Sequence, residues 1–134
     1  MAIGGDVLRI SFKHPRLGSG KLSIKSGETS QFDPGGFRTN DDEKGVTADG
    51  EAIYEMTNSR WRWEGTVRND MNNAKDLELL ADMAADPEEA QFTITHINGA
   101  IYGGYGKPVG NVRADGKAAT IPLVLSGGGQ LTQV

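Results

Sequence analysis

The chain has 134 residues, a net charge of −4 and 37% hydrophobic residues. That is one domain's worth of sequence, able to bury a core without metal or cross-link. With no cysteine and only His14 and His96, thiol catalysis, disulfide frameworks and Cys-type zinc sites are excluded, and the acidic balance argues against bulk electrostatic affinity for nucleic acid or anionic lipid.

No apolar run approaches the roughly 20 residues of a membrane span. The stretch Met1-Ala2-Ile3-Gly4-Gly5-Asp6 has neither basic region nor apolar core, so no cleavable secretory signal is expected. Charge is unevenly spread. Residues 41–55 carry six acids and one base, residues 70–89 seven acids and one base, and the remainder five acids and twelve bases. Nineteen glycines, mostly in pairs or turn-like contexts, predict many tight turns.

The first predicted strand covers 6–13, where Leu8, Ile10 and Phe12 alternate with Arg9, Ser11 and Lys13. His14-Pro15-Arg16 ends it. A second strand over 21–26 turns Leu22 and Ile24 inward, joined to the first through Gly18-Ser19-Gly20. Residues 27–51 hold only Phe32, Phe37 and Val46 as sizeable apolar side chains. So long a stretch with so little core predicts a projecting arm, with a loose hairpin as one form open to it.

Strands follow over 52–57 and 60–69. In the second, Trp61, Trp63, Gly65 and Val67 face one way; Arg60, Arg62, Glu64, Thr66 and Arg68 face the other. One helix is predicted over 73–85, capped by Asn72 or Asn73 and closed by Pro87. Ala74, Leu77, Leu80, Ala81 and Ala84 share its core face, while Leu79 and Met83 form a second apolar patch among acids. The last third reads as a strand over 91–97, an Asn98-Gly99 turn, a strand over 100–102 and an irregular glycine segment over 103–110. A hairpin over 109–113 and 117–125 follows, and Gly127-Gly128-Gly129 releases a polar tail over 130–134. The expected fold is mainly β: a sandwich or barrel of about seven strands, one flanking helix and a long projecting loop, all in a single domain over 1–134.

Chemistry is sparse. The Gly103–Gly110 glycines lack dinucleotide spacing and a following helix, so they read as a bulge and turn cluster. Asp41-Asp42-Glu43 are adjacent, where a calcium loop alternates its ligands. His96 shares a strand face with Phe92 and Ile94 and reads as a hydrogen-bonded histidine at the core edge. Glu55 and Glu64 could form a glycosidase pair, but Glu64 lies in a row of arginines and reads as part of a surface charge ladder. Those arginines point away from the tryptophans, so no stacking platform for nucleic acid forms. No enzyme activity, metal or cofactor is expected.

The C-terminal pattern runs Phe92-Thr93-Ile94-Thr95, Asn98-Gly99-Ala100-Ile101-Tyr102-Gly103 and Gly106-Lys107-Pro108-Val109-Gly110-Asn111. It continues through Asp115-Gly116-Lys117-Ala118-Ala119-Thr120-Ile121-Pro122-Leu123 to Ser126-Gly127-Gly128-Gly129-Gln130-Leu131. This resembles the tail tube proteins of tailed bacteriophages, above all the small ones of contractile tails. It is firmest over 90–131 and looser before that. The resemblance implies hexameric rings stacked into a hollow tube through which DNA passes without specific binding. It implies partners among copies of the chain, a sheath protein if the tail contracts, and baseplate and terminator proteins. The location implied is the virion tail, assembled in the host cytoplasm.

On the same resemblance the 27–51 arm stacks rings, with Phe32, Asp33, Phe37, Arg38, Asp41, Asp42 and Val46 at the interface, helped by both chain ends. Glu78, Leu79, Asp82, Met83 and Asp86 form an outward, partner-facing side of the helix. The Arg60, Arg62 and Arg68 row is expected outward or at an interface, because in the channel it would hold phosphate. The alternatives are a tube subunit of a phage-derived injection device or type VI secretion system, and a monomeric carbohydrate-binding module with Trp61 and Trp63 exposed for stacking.

Overall fold

The computed structural model describes residues 2, 4–69 and 75–133. The chain is mainly β, with ten strands and one helix among those residues. Strands β1 (Val7–His14), β2 (Gly18–Leu22), β3 (Gln31–Asp33), β4 (Gly36–Thr39), β5 (Met56–Ser59) and β6 (Trp61–Arg68) precede helix α1 (Asp76–Ala85). Strands β7 (Ala90–His96), β8 (Ile101–Pro108), β9 (Thr120–Gly127) and β10 (Thr132–Gln133) follow.

All pairings are antiparallel, in the order β2-β1-β7-β8-β9-β6-β3, with β10 beside β8. The ends of this path meet. After leaving β2, the chain crosses to the free edge of β6: Ile24 bridges Val67, Lys25 N–H donates to Thr66 O at 3.0 Å, and Arg68 N–H donates to Ser23 O at 2.8 Å. Strand β3 then continues along β6, and these contacts close the sheet into a barrel.

The core is made by alternation. Ile10, Phe12, Leu22, Trp61, Trp63, Val67, Phe92, Ile94, Ile121, Leu123 and Leu125 are buried. Both tryptophans are fully covered. At about 150–250 Å² each and ~25 cal/mol per Å², each contributes about 4–6 kcal/mol of transfer free energy. Their indoles differ in one respect: Trp61 Nε1–H donates to Tyr105 O at 2.9 Å, whereas buried Trp63 Nε1 has no acceptor among the described residues.

Several expectations are corrected. Leu8 is 55% exposed, because a register shift between Val7 and Arg9 makes it the extra residue of a bulge and buries Val7 instead. The second strand ends at Leu22, and Ile24 lies on the crossover, partly buried. The strand expected over 52–57 begins only at Met56, with an isolated bridge at Ala52 before it. The glycines of 103–106 lie inside β8, and no hairpin forms over 109–113; there the chain makes a loop closed by a bridge from Asp115 to Thr120.

Those strand glycines are where backbones approach most closely. A β-carbon on Gly127 would stand 1.9 Å from Tyr105 O, and one on Gly106 2.5 Å from Ser126 O and 2.6 Å from the Trp61 ring. The C-terminal segment is not released either. Leu131 is buried, its N–H donates to Pro34 O at 2.8 Å, and β10 pairs with Tyr102 and Gly103.

In α1, Leu80 and Met83 are buried, Leu77 and Leu79 are partly buried against the core, and Ala81 is exposed. Lys75 stands at the N-cap without a side-chain bond; the expected caps Asn72 and Asn73, and Ala74, lie outside the described residues.

Candidate functional site

In place of the predicted 27–51 arm the chain forms a hairpin over 36–59, and the strand that leads into it, β3, is part of the barrel. Strand β3 pairs with β6 (Gln31 opposite Glu64, Asp33 opposite Arg62), and β4 pairs with β5 (Gly36 opposite Ser59, Thr39 opposite Met56). The register is the same on both sides of the break at Pro34-Gly35. One two-stranded ribbon therefore begins as barrel wall and ends as projection. The distal loop is ordered by its own bonds: Asn40 N–H to Glu55 O, Ile53 N–H to Gly45 O and Thr47 N–H to Glu51 O, all 2.7–2.8 Å. Gly50, at φ +95°, turns the tip, and the Thr47 hydroxyl donates to Asp49.

The break is clamped. Asp33 Oδ1 accepts from Gly35 N–H at 2.9 Å and Arg38 Nη2 at 2.7 Å, and its Oδ2 accepts from Arg38 Nη1 at 2.9 Å. The guanidinium first, and then the Gly35 N–H, hold the Asp33 carboxyl down at about 2. Gly35, at φ +78°, has no room for a side chain: a β-carbon would lie 2.7 Å from Trp61 N and 2.8 Å from Gly129 O. The C-terminal segment thus packs directly over the root of the arm.

The expected interface residues divide accordingly. Phe32 is partly buried inside the barrel, its ring 5.0 Å from Tyr102 and 6.0 Å from His96, centroid to centroid. Asp33 and Arg38 make the clamp. Phe37 (72% exposed), Val46 (48%), Asp41 and Asp42 stand on the hairpin in solvent. Sequence reading missed Ile53, Tyr54 and Met56, which are also exposed there; their signal was an apolar cluster beside acids, but they read as a strand.

On the helix, Glu78 and Asp82 face solvent as expected, but Met83 is a core residue and Leu79 is partly covered. Asp86 is only 12% exposed at its side chain and lies 3.6 Å from Arg16 and 4.0 Å from His14. Its face of the helix looks at the β1–β2 turn, not outward. The two apolar patches of the helix are one broad face wrapped by the barrel and its turns.

His14 is buried, and its Nδ1 accepts the N–H groups of Arg16 and Leu17 at 3.0 and 3.1 Å. That fixes its proton on Nε2, which points to Glu88 O at 3.3 Å. His96 does share a face with Phe92 and Ile94, but its buried Nδ1 has no hydrogen-bond partner among the described residues. Its neighbours are aromatic rings, Phe32 and Tyr102.

Glu64 pairs with Arg62 on the outer face of β6, and Arg68 lies 3.6 Å from Asp76. A groove of about 700 Å³ opens beside them, lined in part by Gln31, Glu64, Thr66, Arg113, Pro122 and Val124. Among the described residues no three His, Asp or Glu side chains converge as metal ligands, and no helix is long and apolar enough to cross a membrane. Neither the known family models nor the curated proteins give a match to this chain.

Proposed function

We propose that this chain is a structural subunit that assembles with copies of itself, of the phage tail tube type. Rings of the barrel stack into a hollow conduit for DNA, and the β4–β5 hairpin of each copy reaches the next ring. The observation that carries this reading is the hairpin itself: ordered, clamped at its root, and displaying Phe37, Tyr54 and Met56 at 63–75% exposure. A monomeric protein gains nothing from holding such side chains in water on a braced projection. Its role is non-catalytic, and its other partners are a sheath where the tail contracts, the baseplate and the terminator. A tube of a phage-derived injection device or type VI secretion system would use the same geometry. The carbohydrate module drawn from exposed Trp61 and Trp63 loses its basis, because both indoles are fully buried.

Negative-stain electron microscopy of the purified chain over a wide concentration range tests this. Rings or hollow tubes are expected. Replacing residues 37–58 by a short turn, which leaves Phe32 and Asp33 in the barrel wall, should give a folded protein that makes no tubes. A wild-type chain that stays monomeric at millimolar concentration overturns the reading.

A further inference from the structure

Among the described residues, eight large hydrophobic side chains are exposed, and they fall on two surfaces only. Phe37, Val46, Ile53, Tyr54 and Met56 stand on the hairpin. Leu8, Ile97 and Tyr105 stand on the outer face of β1, β7 and β8. The strand register builds that second surface: Lys13 lies opposite both Ser19 and Gln91, Gln91 lies opposite Tyr105, and Ser11 lies opposite Lys21 and Thr93. Arg9 lies opposite Thr95, and Ile97 follows two residues on, on the same side of the strand.

The two surfaces are opposite in charge. The sheet face carries Arg9, Lys13, Lys21 and Lys107 among serines and threonines, with Glu89 at one end; none of the four cations has an ion-pair partner among the described residues. The hairpin carries Asp41, Asp42, Glu43, Asp49, Glu51 and Glu55 against Lys44 and the Arg38 that Asp33 holds, and these carboxylates have no ion-pair partner among the described residues. A chain of net charge −4 has thus gathered cations and apolar groups on one wall, and acids and apolar groups on one projection.

We infer that the basic outer face of β1–β7–β8 is the docking surface for the hairpin of a neighbouring copy. This rests on the self-assembly reading and names the surface that receives the arm. Apolar side chains supply the buried centre of the contact, and the opposed charges set its register and exclude misaligned approaches. Donor and acceptor are different parts of one chain, so a head-to-tail contact between them propagates from copy to copy into rings or filaments.

Charge reversal tests it with the full chain. One variant carries Lys13→Glu and Lys21→Glu on the face; the other carries Asp41→Lys and Glu43→Lys on the hairpin. All four side chains are exposed, so thermal melts should match wild type. Each variant alone opposes like charges, and its critical concentration for pelletable assemblies at low salt should rise roughly tenfold or more. An equimolar mixture restores opposite charges at every contact, so it should assemble near the wild-type concentration.

Unchanged assembly by the variants, or a mixture that fails to recover, overturns the inference while leaving self-assembly standing. So does a face variant that assembles normally but loses retention of duplex DNA, since the face would then serve a polyanion. A wild-type chain that never assembles overturns both readings together.

Discussion

The side chain of Leu131 occupies the volume that a side chain on Gly104 would take: a β-carbon there would stand 2.3 Å from Leu131 Cδ2. The contact joins the C-terminal segment to the middle of β8 and, through Leu131 N–H to Pro34 O, to the root of the hairpin. Leu131→Ala should lower unfolding stability by about 2–4 kcal/mol, the usual cost of emptying a buried leucine site. Gly104→Ala should destabilise wild type but cost less in the Leu131→Ala background, with a coupling of about 1 kcal/mol. Urea denaturation of the four-member cycle measures it; additive effects would show that the two residues do not share one site.

Gly127 and Gly128 make a sharper pair. A β-carbon on Gly127 would collide with Tyr105 O and, at 2.7 Å, with Gly106 Cα, all backbone, so relief requires β8 and β9 to part. Gly127→Ala should cost about 3 kcal/mol. Nothing lies within 4 Å of a β-carbon on Gly128, and Gly128→Ala should stay within about 0.5 kcal/mol of wild type. Equal melting temperatures for the two variants would refute the close crossing of the strands.

The clamp at the hairpin root has a defined acid limit. Arg38 and the Gly35 N–H hold the Asp33 carboxyl at about 2, below the value of about 3.9 in an unfolded chain. The native state therefore binds fewer protons there. Its contribution is complete above about pH 4 and is lost as pH falls toward 2. The Asp33 carboxyl carbon should titrate near 2 by NMR, together with the amides of residues 35–38. In Arg38→Gln the midpoint should rise toward the ordinary range, and an unmoved midpoint would show that the guanidinium is not its cause.

His14 does in its turn what an asparagine side-chain oxygen does in others, since its Nδ1 takes two backbone N–H groups. His14→Ala leaves both without that acceptor and should cost about 1–3 kcal/mol. His14→Asn restores an acceptor at similar reach and should recover a good part of that loss. If alanine and asparagine are equally destabilising in denaturant titrations, the ring matters for packing and not for its acceptor.

What the sequence reveals here follows from how local each cause is. Trp61, Trp63 and Val67 alternate along one uninterrupted strand, so their burial is legible at period two. Ile10 and Phe12 are legible for the same reason, but Leu8 is not, because the bulge that exposes it is imposed by pairing with His96 and Thr95. The arm is visible as a lack of core-forming residues, yet its limits are hidden. Strand β3 is three residues long and owes its existence to β6, its partner far along the chain. Leu131 stands alone in a polar segment, with no periodicity to mark it as core. Met83 reads as outward because a helical wheel assumes one wet side. The β1–β2 turn covers part of that side, with His14 and Arg16 reaching to Asp86.

The unbroken register from β3 and β6 into β4 and β5 makes the hairpin a lever, with its fulcrum at Pro34-Gly35. The short arm of that lever is the strand carrying Trp61, whose indole is held by Tyr105 O. A tilt of the tip that twists this strand about its own axis disturbs that bond. The molecule therefore carries its own optical gauge. Engagement of the distant tip should be readable, without any label, as a change in tryptophan emission from the middle of the barrel.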